Sequence, residues 1–345
     1  MFDGKSILIT GGTGSFGKTF IRMVLQNYSP EKLIIYSRDE LKQYELMNVK
    51  SLKNSPLRYF LGDVRDQDRL RRAMKGVDLV VHAAAYKHVP AAEYNPFEFV
   101  KTNINGAQNV IEAALDAGVE KVVALSTDKA CNPINLYGAT KLASDKMFVA
   151  ANAYGGFGTC FSIVRYGNVV GSRGSAIPFF LKQKTKGLVT LTDPEMTRFW
   201  ITLKDAVNMV WDAFDSANGG EIFIPKIPTM CITDLIEVLA PGVPVKNIGI
   251  RPGEKLHECM ISEDDSRYAY DFEKYYAILP AIDDKYKDPS INRNFSSVEK
   301  NFRYSSETNP ERMSQDMLKS ILASYHTKGN ELVHEDDVSF YDIEI

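Results

Sequence analysis

Three glycines near the start of the chain, Gly11, Gly14 and Gly17, follow directly on an apolar segment, Ile7-Leu8-Ile9. Amphipathic sequence comes next, Lys18-Thr-Phe-Ile-Arg-Met-Val-Leu25. The first glycine opens backbone angles that other residues avoid. The second lets the chain approach an anion with no Cβ in the way, and the third lets helix and strand pack closely. A strand before and a helix after make such a run a phosphate-binding turn, because free N–H groups at the helix start face the anion. The segment therefore predicts a dinucleotide site built from Gly11, Thr13, Gly14, Ser15, Phe16 and Gly17. It opens an α/β fold, a Rossmann-type doubly wound parallel sheet.

The first half of the chain continues the pattern. Leu33–Tyr36, Leu57–Phe60, Asp78–His82, Lys121–Leu125 and Phe161–Arg165 read as successive strands, with helical periodicity between them, for example over Ile104–Ala117. Alternating βα units imply a parallel sheet covered on both faces, with ligands outside the carboxyl ends of its strands. After about residue 170 the alternation fades and Gly and Pro recur, as in Pro225-Lys-Ile-Pro228 and Arg251-Pro-Gly253. The expected organisation is a dinucleotide-binding domain over 1–170, to which some later segments return. A smaller substrate lobe is expected over 171–327, and a loosely held acidic tail over 328–345.

At 345 residues and a formal net charge of −3, with no basic run, the chain is not expected to bind nucleic acid or a membrane surface. Its apolar stretches are too short for a membrane span, and strand-like sequence begins too early for a signal peptide, so a cytoplasmic protein is expected. Its four cysteines, Cys131, Cys160, Cys231 and Cys259, have neither disulfide-framework nor zinc-site spacing.

About twenty residues past the glycines, where an acidic residue would bind both ribose hydroxyls of NAD, stands Ser37-Arg38-Asp39. The Ser37 hydroxyl and Arg38 guanidinium suit a 2′-phosphate, which favours NADP, while Asp39 turned inward would favour NAD. Asp63 and Val64 are placed to receive the adenine. Ala83, in His82-Ala-Ala-Ala85, gives room for close cofactor approach, although tight sheet packing would explain the alanines equally well.

The fifth strand runs into Ser126-Thr127-Asp128-Lys129, followed by Tyr137-Gly-Ala-Thr-Lys141. Tyr137 and Lys141, four apart, share one helix face. The lysine can lower the phenol pKa and hold the nicotinamide ribose, so that Tyr137 accepts a proton as a hydride leaves. Thr127 can share the hydrogen bond of the substrate hydroxyl.

Together these residues resemble the extended short-chain dehydrogenase/reductase family. Within it the chain is similar to the configuration-inverting UDP-N-acetylglucosamine 4,6-dehydratases, of the pseudaminic-acid pathway type, through Thr10–Gly17, Ser37–Lys42, Lys87-His-Val-Pro90, Ser126–Ala130, Arg165–Arg173, Met196–Trp200 and Ile250–His257. The resemblance covers about residues 5–260. Retaining nucleotide-sugar dehydratases carry a Glu where this chain has Lys129. The resemblance implies C4 oxidation with Tyr137 as proton acceptor, elimination of water across C5 and C6 with Asp128 as acid and Lys129 as base, and hydride return to C6. It further implies that Lys87, which also reaches the cofactor, and Asn168 lie near the sugar. Arg173 and Arg198 would serve the diphosphate end, and Arg251 with Glu254 the UDP. A homo-oligomer, often a hexamer, is implied as well. Two other readings stay open: a nucleotide-sugar 4-epimerase, which needs Tyr and Lys but no C5/C6 acid–base pair, and a non-catalytic NADP-sensing protein.

Overall fold

The computed structural model describes residues 1–154, 158–281, 295–328 and 331–342. Its frame is a ten-stranded sheet. Six strands come from the first half: β1 (Ser6–Thr10), β2 (Lys32–Ser37), β3 (Leu57–Leu61), β4 (Leu79–His82), β5 (Lys121–Thr127) and β6 (Cys160–Tyr166). They lie parallel in the order β3-β2-β1-β4-β5-β6, the doubly wound arrangement expected from alternating βα units. β1 is buried along its whole length, which is why it reads as an unbroken apolar run and not as an alternating one.

Register brings the functional ends level. Thr10 at the end of β1 pairs with Tyr36 and with His82, and Thr127 at the end of β5 pairs with Tyr166. The order reverses between β1 and β4, and the crevice outside their carboxyl ends is where such a fold admits a ligand. The segments beyond 170 are shared between two bodies. Ile222–Pro225 extends the sheet parallel to β6, and Tyr275–Ile278, Ala269–Asp271 and Ser296–Ser297 continue it antiparallel. A second apolar cluster, centred on Ile177, Trp200, Met230 and Leu235, packs the Ala176–Lys184 and Ile232–Leu239 helices around the Thr197–Ile201 strand. Among the described residues no helix is long and apolar enough to cross a membrane.

The C-terminal segment corrects an expectation. Up to residue 342 it is not a loose tail. Tyr325–Lys328 and Glu331–His334 form a hairpin that leads into the Glu335–Phe340 helix. That helix docks on α1 (Ser15–Asn27), the helix opened by the glycine run. Asp337 takes Arg22 Nε at 2.6 Å and the Thr19 hydroxyl at 3.0 Å, and the Tyr341 hydroxyl donates to the Lys18 carbonyl at 2.6 Å. The segment's low hydropathy hid this because its anchor is a buried ion pair and one tyrosine, not an apolar stripe. Removing one partner of a buried pair strands the other charge, which costs about 3–5 kcal/mol. Asp337→Ala is accordingly expected to lower the thermal unfolding midpoint markedly, whereas Asp336→Ala, at the exposed flank of the same pair, changes it little. A differential scanning measurement of both variants checks this.

Candidate active site

One cavity of about 940 Å³ runs along the carboxyl ends of the strands and into the second lobe. Its first section is the glycine turn. Gly11 has φ +69°, and a Cβ there would stand 3.0 Å from the Ala84 backbone nitrogen, so only glycine lets β1 turn this close to the strand beside it. Gly14 caps α1 with no side-chain hydrogen bond and no acidic residue in the first turn. The first N–H groups of the helix thus meet the cavity without a competing anion. This uncapped, Cβ-free cradle fits a dinucleotide pyrophosphate.

At the end of β2, Thr13 and Ser37 share a hydrogen bond of 2.9 Å between their hydroxyls. Arg38 lies over the Tyr86 ring, 5.0 Å from its centroid, and donates to its hydroxyl at 2.8 Å. Asp39 caps the Glu40–Met47 helix by accepting from the Lys42 N–H, and the Lys42 ammonium pairs with it. Those bonds hold its carboxyl below the usual range. Lys42, which the sequence argument did not single out, also faces the cavity. Asp63 is engaged by Arg65 at 2.8 Å and Arg38 at 3.5 Å. Burial works against its ionisation, but Arg65 outweighs it and keeps the carboxyl low. Val64 and Ala83 line the cavity beside it.

The catalytic section is built where β5 ends. Thr127 opens a short 3-10 turn over Asp128–Ala130. The next helix, Leu136–Ala151, starts at Asn135, whose side chain accepts from the Gly138 N–H at 2.8 Å and donates to the Gly253 carbonyl at 2.7 Å. One residue thereby ties the Tyr137 helix to the Arg251–Gly253 turn of the second lobe. A Cβ on Gly138 would stand 2.2 Å from the Lys129 carbonyl oxygen, so glycine there sets the spacing between phenol and lysine. Asn103 pins the neighbouring loop, exchanging two hydrogen bonds of 2.9 Å with the Tyr86 backbone and donating to Thr140 at 3.1 Å.

Thr127, Lys129, Tyr137 and Lys141 all border the cavity, but Asp128 does not. It is fully enclosed, with one oxygen taking the Lys129 ammonium at 3.0 Å and the Thr127 hydroxyl at 2.9 Å. Its other oxygen has no hydrogen-bond partner among the described residues. The expectation of an Asp128 carboxyl touching the substrate therefore changes to one of a carboxyl behind Lys129. Burial pushes the Tyr137 phenol up to about 12, opposed by the Lys129 charge and the Thr127 hydroxyl. Lys129 thus supplies a cation that acts on the phenol. Burial lowers the Lys141 pKa, while Asp145 one turn away raises it in part.

Lys129 also has a second carboxylate partner, one the sequence argument missed. Glu258, buried at the cavity wall, stands 3.2 Å from its ammonium. Burial disfavours the charge on Lys129, yet Asp128 and Glu258 together raise its pKa above that of an ordinary lysine. The only clue in the sequence was that Glu258 directly follows the Arg251–His257 motif.

The remaining residues divide. Lys87 and Asn168 line the cavity, and desolvation together with the Lys129 charge lowers the Lys87 pKa. Arg251 pairs with Glu254 at its far end. Burial favours the neutral form of Glu254, but Arg251 keeps its carboxyl below the usual range. Arg198 reaches the cavity, but its terminal nitrogens donate to the carbonyls of Thr197, Lys255 and Leu256 at 2.7–2.9 Å, so it braces a loop. Arg173 lies beside the glycine turn: its backbone N–H donates to the Ser15 hydroxyl at 3.3 Å and its charge acts on Asp39. The His88 ring packs against Gly174, and His257 bonds Thr197 at 2.8 Å.

Similarity to known proteins agrees with this geometry. The chain belongs to the polysaccharide biosynthesis protein family, whose pattern matches residues 7–280. It is 58% identical over 337 residues, 95% of this chain and all of the relative, to a protein of Campylobacter jejuni subsp. jejuni serotype O:23/36 (strain 81-176) named UDP-N-acetylglucosamine 4,6-dehydratase (inverting). A UDP-glucose 4-epimerase of Rickettsia prowazekii is 43% identical over 81% of this chain and 84% of its own. Among solved structures, Pen from Bacillus thuringiensis superposes with a TM-score of 0.86 at 38% identity, covering 94% of this chain and 98% of its own. A dTDP-glucose 4,6-dehydratase from Streptomyces venezuelae with NAD and TYD bound gives 0.65 at 25% identity, covering 73% and 86%.

Gly138→Ala tests the spacing of the catalytic section by itself. The added methyl must push the Lys129 turn away from the helix, and a displacement of that order near reacting groups costs roughly tenfold or more in turnover. Dinucleotide affinity, measured by calorimetry, should stay close to wild type because the glycine cradle is untouched.

Proposed function

We propose that this protein is an NADP-dependent UDP-N-acetylglucosamine 4,6-dehydratase that inverts C5, yielding UDP-2-acetamido-2,6-dideoxy-β-L-arabino-hex-4-ulose for bacterial surface-glycan or flagellin sugar synthesis. The observation that carries the reading is the Lys129 ammonium on the cavity wall beside Tyr137. It is a second proton carrier, for which a simple oxidation at C4 has no use. The near full-length identity to inverting dehydratases supports it.

When bound, the oxidised nicotinamide supplies a hydride acceptor and a positive charge beside the phenol. Tyr137 accepts the C4-hydroxyl proton, with Thr127 sharing the hydrogen bond. The resulting 4-ketone acidifies C5–H. Lys129 must be neutral to remove that proton, and Asp128 is the group that can relieve it of one: the proton moves from the Lys129 nitrogen to the enclosed carboxylate, leaving both groups uncharged. Lys129 then takes the C5 proton and delivers a proton to the departing C6 hydroxyl, so that one water leaves and the elimination balances. In this scheme Asp128 stores the lysine's proton, and Lys129 serves as both the C5 base and the acid for the C6 hydroxyl. Inversion requires C5 to be protonated from the opposite face while the hydride removed from C4 would be returned to C6, and we assign that proton to Tyr137. Lys87 and Asn168 orient the sugar and the Arg251–Glu254 turn holds the uridine diphosphate. Lys141 holds the nicotinamide ribose.

Incubation with UDP-N-acetylglucosamine in heavy water, followed by NMR, tests the reading. The expected product is a 4-keto-6-deoxy sugar of L-arabino configuration carrying deuterium at C5, formed with no net cofactor reduction. A galacto-configured product without solvent label would identify a 4-epimerase. No product, with dinucleotide still bound, would leave the non-catalytic reading. The protein is also taken to work as a cytoplasmic homo-oligomer, and light scattering on the purified protein reads its subunit number.

Cofactor choice is assigned to Ser37, Arg38, Lys42 and Arg173. Lys42 and Arg173 act on the Asp39 carboxylate, Arg38 borders the same part of the cavity, and together these three cations would seat a 2′-phosphate. Losing a charge-assisted phosphate contact costs roughly tenfold or more in affinity. Arg38→Ala should therefore weaken NADP by that factor and NAD far less, as read by competitive titration. Equal losses would remove Arg38 as the selector.

A further inference from the structure

We propose that Glu258 is a positioning residue of the dehydratase reaction, fixing the Lys129 ammonium against the cavity wall and tying its placement to the loop that grips the nucleotide; this rests on the function proposed above. Glu258 directly follows the Arg251–His257 segment and is itself rigid. Its N–H donates to the Ser306 hydroxyl at 2.8 Å, and its carbonyl accepts the Ser306 N–H at 2.8 Å. One carboxylate oxygen meets Lys129 at 3.2 Å and Arg198 at 4.0 Å. The other lies 3.9 Å from Lys255 and accepts no hydrogen bond from the described residues.

The residues around it are braced in turn. Arg198 bonds the carbonyls of Lys255 and Leu256, and Lys255 donates to the Cys131 carbonyl at 2.7 Å, two residues past Lys129. A shift of the 251–257 loop on substrate binding is thereby passed to the lysine through one carboxylate. The charged and titratable groups facing Lys129 are Asp128, Glu258, Arg198, Lys87 and Tyr137. Of the two anions, only Glu258 comes from the second lobe.

Glu258→Gln keeps the shape and removes the charge, so Lys129 should lose its proton more easily. The expected result is a shift of the Lys129-dependent limb of the pH–rate profile to lower pH by about one unit or more, with KM nearly unchanged. Competitive acylation with acetic anhydride, read by mass spectrometry, provides a measure independent of turnover. Relative to exposed lysines, Lys129 should label roughly tenfold faster at pH 8 in E258Q than in wild type. Glu258→Asp keeps the charge and should label close to wild type. Equal labelling in wild type and E258Q overturns the proposal, as does an E258D rate raised as far as that of E258Q, since that would trace the effect to packing and not to charge. If E258Q fails to fold, Glu258→Ala takes its place: labelling of Lys129 faster than in wild type supports the proposal, and labelling equal to wild type overturns it. The labelling result stands even if no dehydratase product forms, so failure of the function and failure of this role are separately visible.

Discussion

One ammonium group organises the chemistry of this fold. Asp128 sits at the end of β5, where the parallel sheet delivers it, and Glu258 sits on a segment of the second lobe. Both are enclosed, and both meet the same Lys129 nitrogen, at 3.0 and 3.2 Å. Enclosed carboxylates are costly unless paired, and the lysine is the partner that makes both tolerable. The same pairing keeps Lys129 charged at rest, so the lysine can act as a base only after passing a proton to a neighbour. Stability of the site and readiness for catalysis thus pull in opposite directions through one contact, and a tightly coupled Asp–Lys pair lets a proton move without creating a net buried charge.

The parts of this structure that were legible in the sequence are those set by local pattern. Glycine spacing, apolar runs and alternating βα units placed β1 to β6 to within a residue or two, because the central strands β1, β4 and β5 are largely buried on both faces and the edge strand β3 still carries an apolar run. The Tyr137–Lys141 spacing likewise required only a helix. Direction was harder. Asp128 and Lys129 are adjacent in sequence, yet one is enclosed and the other faces the cavity, a difference decided by the 3-10 turn that follows β5. Arg173 and Arg198 carry the charge suited to a diphosphate, but what each touches depends on loops from other segments. Glu258 had no local signal beyond its neighbours. The C-terminal helix was misjudged because a single buried ion pair, Arg22 with Asp337, supplies what composition attributes to apolar residues.

These contacts also explain why the hydride and proton parts of the reaction are built differently. Thr127, Tyr137 and Lys141 are all held by the first domain, on β5 and on the helix that Asn135 starts. Asn135 also links that helix to the second lobe through the Gly253 carbonyl. Lys129 is held from both sides, and half of its setting arrives with the 251–258 segment, which also carries the Arg251–Glu254 pair at the far end of the cavity. Oxidation at C4 is chemistry that many related sites perform, and it needs only the shared scaffold. Elimination across C5 and C6 needs a second proton carrier whose charge is controlled. In the mechanism proposed here that control is divided between two lobes, because one of the two carboxylates on Lys129 comes from each.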